Sequence, residues 1–253
     1  MAEPIIRFSG VKKAFGSKVI YEDATLDIFP GETLTVIGGS GSGKSVLIKM
    51  LIGLLKADAG SITAFGEEVT TMNDRELLKT RHRIAMLFQS GALFDSLTVQ
   101  QNIEYPLREH RWGTTAEMKD RVAAVLEMVG MPGTEKLKPS ELSGGMRKRV
   151  GLARAIALEP EVILYDEPTT GLDPINVRRI NGLILSLQKK LNVTSVVVTH
   201  DMDSCFTVTD RIAMLYDKRI AFVGTAEETA QCDIRYVREF IAGGKGTLEE
   251  DIV

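Results

Sequence analysis

The chain has few of the residues that mark several large classes of protein. Its 253 residues include only two cysteines, Cys205 and Cys232, which are too few for a disulfide framework. We expect both to be reduced thiols of the cytosol with no metal role. The most apolar stretch, residues 46–55, is interrupted by Lys49 and is too short to cross a bilayer. Residues 1–4 lack the basic start and apolar run of a signal peptide, so we expect any membrane role to be peripheral.

The chain is also not basic. The 31 Lys and Arg residues are outnumbered by 34 Asp and Glu residues, which gives a formal net charge of −3. Because nucleic-acid-binding domains are usually strongly basic, this balance counts against that class. A short basic run, Arg147, Lys148 and Arg149, is expected to be the solvated face of a helix rather than a nucleic-acid patch.

A glycine-rich segment follows the buried strand predicted at residues 34–37. Residues 38–45 match the phosphate-binding pattern G-x-x-x-x-G-K-[ST], and apolar periodicity predicts a helix directly after them. Lys44 can reach the β- and γ-phosphates of a nucleotide, and the Ser45 hydroxyl can bind Mg²⁺. The alternative is a glycine-rich turn with an exposed lysine. The pattern predicts ATP contacts from Gly38, Gly39, Ser40, Gly41, Ser42, Gly43, Lys44, Ser45 and Val46.

A second predicted strand ends in two carboxylates. Residues 162–165 are apolar and are followed by Asp166 and Glu167, which suits a strand covered on both faces. Downstream of a phosphate-binding loop, Asp166 is expected to hold Mg²⁺ through water, and Glu167 to act as general base toward the attacking water. The alternative is a surface turn after an edge strand.

Two further polar side chains follow apolar runs. Gln89 comes after residues 84–88, and His200 after residues 196–199. Ligands of open parallel α/β sheets bind beyond the carboxyl ends of the strands, so we expect one crevice. Gln89 would complete the Mg²⁺ shell and His200 would contact the γ-phosphate. The alternatives are a surface glutamine and a structural histidine. The predicted catalytic set is Glu167, His200, Gln89 and Lys44, and the predicted metal set is Ser45, Gln89 and Asp166.

A second anion cradle is predicted at Ser143, Gly144 and Gly145, which open a helix-like run. One nucleotide has one γ-phosphate, so this cradle would serve the nucleotide of a second copy in a two-fold dimer. Ordinary capping of the helix is an equal alternative. Phe15 offers a face on which adenine could stack, and a core aromatic is nearly as good an interpretation.

The remaining pattern predicts the organisation of the chain. Residues 95–150 carry helical spacing and indicate a helical insertion, and Asp173 with Pro174 predicts the start of a long helix. Strands that alternate with helices favour an α/β fold with a mostly parallel sheet. We expect the tail, residues 243–253, to fray.

These motifs, in this order, resemble the ATP-binding subunit of ABC transporters over almost the whole chain. The resemblance implies a P-loop NTPase (RecA-like) α/β core, with an N-terminal antiparallel β subdomain and an inserted α-helical subdomain. It also adds Asp173, in the D-loop, to the nucleotide contacts. The implied boundaries within a single domain, 1–253, are a core with its β subdomain (1–90 and 155–225), a helical subdomain with the signature motif (91–154), and a C-terminal helix and tail (226–253).

Five segments narrow the resemblance to the Mla-type (MCE-associated) phospholipid transporters. They are residues 88–94, 105–110, 139–146, 153–160 and 235–240, and they include Met146, where most ABC subunits have Gln. The resemblance implies a homodimer of ATPase subunits, a transmembrane permease and, indirectly, an MCE-type substrate-binding protein. It places the chain on the cytoplasmic side of the inner membrane and implies no nucleic acid. The permease groove would include Leu93, Phe94 and Leu97, whose alternative is internal packing.

Three other functions stay open. The nearest is the ATPase of an ABC importer for another substrate. A non-transport subunit that couples ATP hydrolysis to force would share the same motifs. A soluble ABC ATPase acting on DNA or the ribosome is the third, although the long coiled-coil insertions and fused ATPase units typical of that class are missing.

Overall fold

The computed structural model describes residues 3–243 in two compact units. The first unit combines the part of the chain before Asp74 with the part from Val198 onward, and the second is Asp74–Val197. The subdomain boundaries expected from the sequence stay a prediction. Residues 244–253, most of the segment that we expected to fray, lie outside the described residues.

The first part of the chain is mainly antiparallel sheet followed by the glycine loop. Strand β1 pairs antiparallel with both β2 and β4, so the N-terminal strands form the expected antiparallel arrangement. All six residues of β3 are buried, which confirms the buried strand predicted at residues 34–37. The elements are β1 (Ile6–Phe15), β2 (Lys18–Ile28), β3 (Thr33–Gly38), α1 (Lys44–Leu51), β4 (Ala59–Ala64) and β5 (Glu67–Glu68).

The second unit combines five α-helices with three strands among the described residues. The elements are α2 (Asp74–Arg83), β6 (Ile84–Leu87), α3 (Val99–Glu109), α4 (Thr115–Met128), α5 (Gly144–Ile156), β7 (Val162–Asp166), α6 (Pro174–Leu191) and β8 (Thr194–Val198). The strand order is β8-β7-β6, and β6 and β7 are parallel. The helical region expected at 95–150 is confirmed. Asp173 is the N-cap of α6 with Pro174 at its first position, as predicted.

The last part of the chain returns to the first unit. It contains α7 (Met202–Val208), β9 (Arg211–Tyr216), β10 (Arg219–Thr225), α8 (Ala226–Ala230) and α9 (Arg235–Ile241). The strand order in this unit is β5-β4-β1-β2-β10-β9-β3, with β9 parallel to β3 and antiparallel to β10. The expected α/β class, with antiparallel N-terminal strands and parallel core strands, is therefore confirmed.

Both cysteines are free thiols. Cys205 is buried in an apolar cluster with Ile37, Ile212 and Met214, and Cys232 packs at the edge of that cluster. Burial raises the pKa of the Cys205 thiol to about 12, which keeps it protonated and unreactive at neutral pH. No helix between residues 3 and 243 has the length and apolar character needed to cross a membrane.

One buried amide organises the loop that precedes α3. The Asn102 side chain accepts a hydrogen bond from the Phe94 N–H at 2.8 Å and donates to the carbonyls of Phe94, Leu97 and Thr98 at 3.1, 3.3 and 3.0 Å. Asn102 is fully buried. Because residues 94–98 lie in neither a helix nor a strand, this side chain supplies hydrogen bonds that regular structure would otherwise provide.

We predict that Asn102→Ala lowers the free energy of unfolding by about 3 kcal/mol, because the Phe94 N–H and the Leu97 carbonyl lose the Asn102 side chain as partner and each buried unsatisfied group costs about 1–3 kcal/mol. Urea denaturation measures the change. The control Gln231→Ala alters an exposed amide and should stay within about 0.5 kcal/mol of the parent. Equal stability of the two variants would contradict this account of the loop.

Candidate nucleotide-binding and catalytic site

The glycine loop between β3 and α1 has a backbone that requires glycine at its end. Gly43 is the N-cap of α1, with a left-handed φ of 107°. A Cβ at this position would lie 2.5 Å from Ile20 Cγ2 and 2.9 Å from the Tyr21 hydroxyl oxygen. That hydroxyl donates to the Gly43 carbonyl at 2.6 Å. Strand β2 therefore holds the junction between the loop and the helix from behind.

The loop also holds a buried cation and an unpaired donor. Lys44 is only 7% exposed, and its Nζ donates to the carbonyls of Gly38 and Gly39 at 2.8 and 3.2 Å. The buried Ser42 hydroxyl has no hydrogen-bond partner within the described part of the chain. An ammonium, a hydroxyl donor and the first N–H groups of a helix suit a phosphate group. The residues present therefore fit the predicted nucleotide.

The second unit brings Gln89 and the two carboxylates to one edge of its sheet. In the parallel pair of β6 and β7, Leu87 lies opposite Tyr165, so Gln89 and Glu167 each follow that pair by two residues. Asp166 is 6% exposed, whereas Gln89 is exposed. Glu167 has a left-handed φ of 51°, and its Oε2 accepts a hydrogen bond from Thr170 Oγ1 at 3.0 Å. Strain of this kind in a non-glycine residue is typical of functional sites.

The basic run of α5 is solvated at Arg147, which is exposed, but that expectation is wrong for Lys148. Lys148 is 5% exposed, and its Nζ donates to the carbonyls of Glu167, Pro168 and Thr170 at 3.3, 2.8 and 2.7 Å. Burial lowers the pKa of Lys148 to about 8, and the nearby Glu167 carboxylate opposes the shift. Sequence reasoning missed this residue. Its helical spacing to Gly151 and Leu152, both buried, was the available signal.

The predicted second cradle opens α5 with an ordinary cap. Ser143 is exposed and its Oγ accepts a hydrogen bond from the Met146 N–H at 3.2 Å, so the capping alternative is realised in this conformation. A Cβ on Gly145 would lie 2.9 Å from Asn176 Cγ, so the start of α6 packs too closely for a larger residue. The cradle for a second copy's phosphate stays a prediction.

Asp173 serves its own helix. Its Oδ1 accepts the N–H groups of Ile175 and Asn176, each at 3.0 Å, and its Oδ2 accepts from Asn176 Nδ2. These bonds hold the pKa of the Asp173 carboxyl below its usual range. These contacts lie within the start of α6, and the contact of Asp173 with nucleotide stays a prediction.

Phe15 and His200 both lie in the first unit. Phe15 ends β1 and is 47% exposed, and Lys13 Nζ lies 5.2 Å from its ring centroid. An exposed ring disfavours the core alternative and leaves room for stacking. His200 is exposed and follows Thr199, whose N–H donates to the Val36 carbonyl of β3 at 3.3 Å. His200 therefore lies in the first unit near the strand that leads into the glycine loop.

Of the three side chains predicted to bind the permease, one lines a shallow surface pocket in the second unit. Leu93 contributes to it, and the Phe94 ring is exposed and lies 4.9 Å from the Tyr105 ring. Leu97 is half-buried. The pocket has a volume of about 220 Å³ and is lined by Ser90, Ala92, Leu93, Asp95, Pro139, Ser140 and Arg147.

The described residues 3–243 contain no cluster of three or more His, Cys, Asp or Glu side chains able to hold a metal ion. Mg²⁺ is commonly bound by one or two carboxylates, water and substrate phosphates, and does not need such a cluster. Ser45 and Asp166 have the oxygen chemistry that Mg²⁺ prefers, so the predicted set suits this ion when a nucleotide supplies further ligands.

Comparison with known proteins identifies the family. A phosphate-binding loop before a helix, with two carboxylates ending a buried strand, defines the P-loop nucleotide-binding class. Residues 21–170 match the model of the ABC transporter family. The chain belongs to this family of ATP-binding proteins.

Several relatives are similar over most of the chain. The probable ribonucleotide transport ATP-binding protein mkl of Mycobacterium leprae is 43% identical over 94% of this chain and 69% of its own length. The protein named intermembrane phospholipid transport system ATP-binding protein MlaF is 38% identical in Haemophilus influenzae and 41% in Escherichia coli. Those alignments cover 96% and 90% of this chain, and 92% and 85% of the relatives.

Solved structures agree with the fold. The dimeric ATP-binding cassette MJ0796, bound to ADP and phosphate, matches with a TM-score of 0.80 and 31% identity over 87% of this chain and 98% of that chain. The cbiO1 protein of Clostridium perfringens, part of an ABC transporter complex, matches with a TM-score of 0.82 and 26% identity over 96% of this chain and 99% of that one.

We predict that Lys44→Ala weakens ATP binding roughly 10- to 100-fold, because charge-assisted hydrogen bonds contribute about 1.5–3 kcal/mol each. Titration with a fluorescent ATP analogue measures the affinity. Lys49→Ala, in the last turn of the same helix, is the matched control and should bind as the parent does. Unchanged affinity in Lys44→Ala would exclude the loop as the phosphate site.

Proposed function

We propose that this chain is the ATP-binding and ATP-hydrolysing subunit of a membrane phospholipid transporter. The assignment of hydrolysis rests on the edge of the sheet formed by β6 and β7. Gln89 and Glu167 each lie two residues beyond the paired residues Leu87 and Tyr165. Asp166, the last residue of β7, is buried. The family membership supports ATP as the substrate.

The proposed roles follow from the chemistry of each group. Lys44 neutralises charge on the β- and γ-phosphates, and the N–H groups of the glycine loop bind the same oxygens. Glu167 accepts a proton from the attacking water, and His200 holds that water and the γ-phosphate. Phe15 stacks on adenine. Ser45, Gln89 and Asp166 would hold Mg²⁺, which when bound would neutralise charge on the phosphate oxygens.

Two copies of the chain would act together. The first turn of α5 would supply the second cradle. Ser143 and Gly144 are exposed, and Gly145 follows them at the start of the helix. Their N–H groups would bind the γ-phosphate of the nucleotide held by another copy. Asp173 would lie beside the same nucleotide. The dimer of MJ0796 with ADP and phosphate supports this arrangement. Binding of ATP would close the dimer, and hydrolysis would let it open.

We further propose that a transmembrane permease and, indirectly, an MCE-type substrate-binding protein are the partners. The pocket beside the exposed Phe94 ring, with Leu93 and the half-buried Leu97, would receive the permease. The chain would then work on the cytoplasmic side of the inner membrane, without nucleic acid.

The substrate class rests on the MlaF relatives, which this chain covers for most of their length. A second candidate comes from mkl, whose name assigns ribonucleotide transport and which is 43% identical. A subunit that couples ATP hydrolysis to force without transport would use the same side chains.

We predict that Glu167→Gln reduces ATP turnover on the order of 100-fold or more, because a general base contributes about 10²- to 10⁴-fold. The variant should keep ATP affinity and accumulate as an ATP-bound dimer, since closure no longer ends in hydrolysis. Light scattering with Mg²⁺ and ATP measures the mass. A strictly monomeric variant, or one with full turnover, would contradict the proposal.

We predict that the complex purified with its permease moves fluorescent phospholipid between membranes when ATP is supplied, because the relatives covered over most of their length are named for that transport. Proteoliposomes measure the transfer, and Glu167→Gln is the inactive control. Uptake of radiolabelled ribonucleotide without lipid transfer would favour the second candidate. ATP hydrolysis without movement of either substrate would favour force coupling.

A further inference from the structure

Lys148 is a buried cation for which the proposed chemistry has no use. Its side chain comes from the second turn of α5, and its ammonium reaches the loop that follows β7. Burying a charge in a protein is costly unless the charge is fully hydrogen-bonded. An apolar side chain of the same length would avoid that cost. The presence of a charge at this buried position therefore suggests that the charge has a structural or functional role.

The ammonium is matched to the loop. An ammonium has three N–H donors, and three carbonyl oxygens receive them: those of Glu167, Pro168 and Thr170, at 3.3, 2.8 and 2.7 Å. Three of the four peptide units that start at Glu167 are therefore turned toward one atom. The positive charge attracts the oxygen ends of all three carbonyl dipoles, which an apolar side chain of the same length does not do.

The loop has a conformation that needs such support. Glu167 has a φ of 51°, in the left-handed region, which costs a non-glycine residue free energy and persists only where the surroundings impose it. The hydrogen bond from Thr170 Oγ1 to Glu167 Oε2 at 3.0 Å then ties the carboxylate to the same loop. The direction of the carboxylate thus depends on the path of residues 167–170. Lys148 holds that path together with a turn hydrogen bond from the Thr170 N–H to the Glu167 carbonyl at 3.4 Å.

The geometry points to Lys148 as a positioning residue that orients the Glu167 carboxylate for its work as general base. This inference rests on the proposed ATP hydrolysis and deepens it. Lys148 acts through Glu167 and is not expected to touch ATP, so it should affect the rate of the chemical step more than nucleotide binding.

Lys148→Met tests the inference, since it keeps the length of the side chain and removes the charge and the donors. We expect kcat for ATP to fall on the order of 10- to 100-fold, the range for groups that orient a functional residue from behind. The KM for ATP should change less than about twofold. Lys148→Arg keeps a cation and should recover part of the loss. The matched control is Lys119→Met, an exposed lysine of α4, with parental kinetics.

A double variant separates positioning from general damage. When Lys148→Met is added to Glu167→Gln, turnover should fall no further than in Glu167→Gln alone, because both changes remove one function. A further loss of similar size would overturn the inference, as would an unchanged kcat in Lys148→Met. Should Lys148→Met fail to fold, Lys148→Gln retains two donors. A folded Lys148→Gln should have an intermediate kcat, and a fully active one overturns the inference.

The proposed function and this inference fail separately. Absence of ATP turnover in the parent and in Lys119→Met would contradict the proposed function. Normal turnover in the parent and in Lys148→Met, with loss in Glu167→Gln, would contradict the role of Lys148 alone.

Discussion

The hydrogen bond between a buried lysine ammonium and backbone carbonyl oxygens is the interaction on which much of the site depends. Among the described residues, each unit has one such lysine. Lys44 is bonded to two carbonyls of the glycine loop, and Lys148 to three carbonyls of the loop that follows β7. Neither loop is part of a helix or strand, so the cations add to the few backbone turn hydrogen bonds that hold the peptide groups. The two lysines differ in whether a ligand can reach them. Phosphate oxygens of a bound nucleotide would replace the carbonyls around Lys44, whereas Lys148 is expected to keep its carbonyl partners.

Helix α5 contacts two loops of the second unit. It begins at the proposed second anion cradle, and its Lys148 holds the loop that carries the proposed general base, Glu167. Its Arg154 donates to the carbonyls of Gly91 and Ala92, just beyond Gln89. Burial lowers the pKa of the Arg154 guanidinium, yet it stays a cation because the ordinary value is so high. A displacement of this helix would therefore act on both loops at once.

The sequence predicted the features that depend on local order along the chain. The glycine loop, the strands that precede Gln89 and Glu167, and the start of α6 after Asp173 are determined by neighbouring residues, and they lie where the pattern predicted them. The structural roles of Lys148 and Asn102 could not be predicted from the sequence. Both depend on hydrogen bonds to carbonyls that only the folded chain brings together. A basic run was interpreted as solvated from its charge, although the buried neighbours of Lys148 on the helix carried the better information.

The central claim is that each ATP is held by two copies of the chain. The most direct measurement is a crystal structure of Glu167→Gln with Mg²⁺ and ATP. The account predicts a γ-phosphate bonded to Lys44 of one protomer and to the N–H groups at Ser143 and Gly145 of its partner. A nucleotide that meets Lys44 but no residue of a second protomer would contradict it.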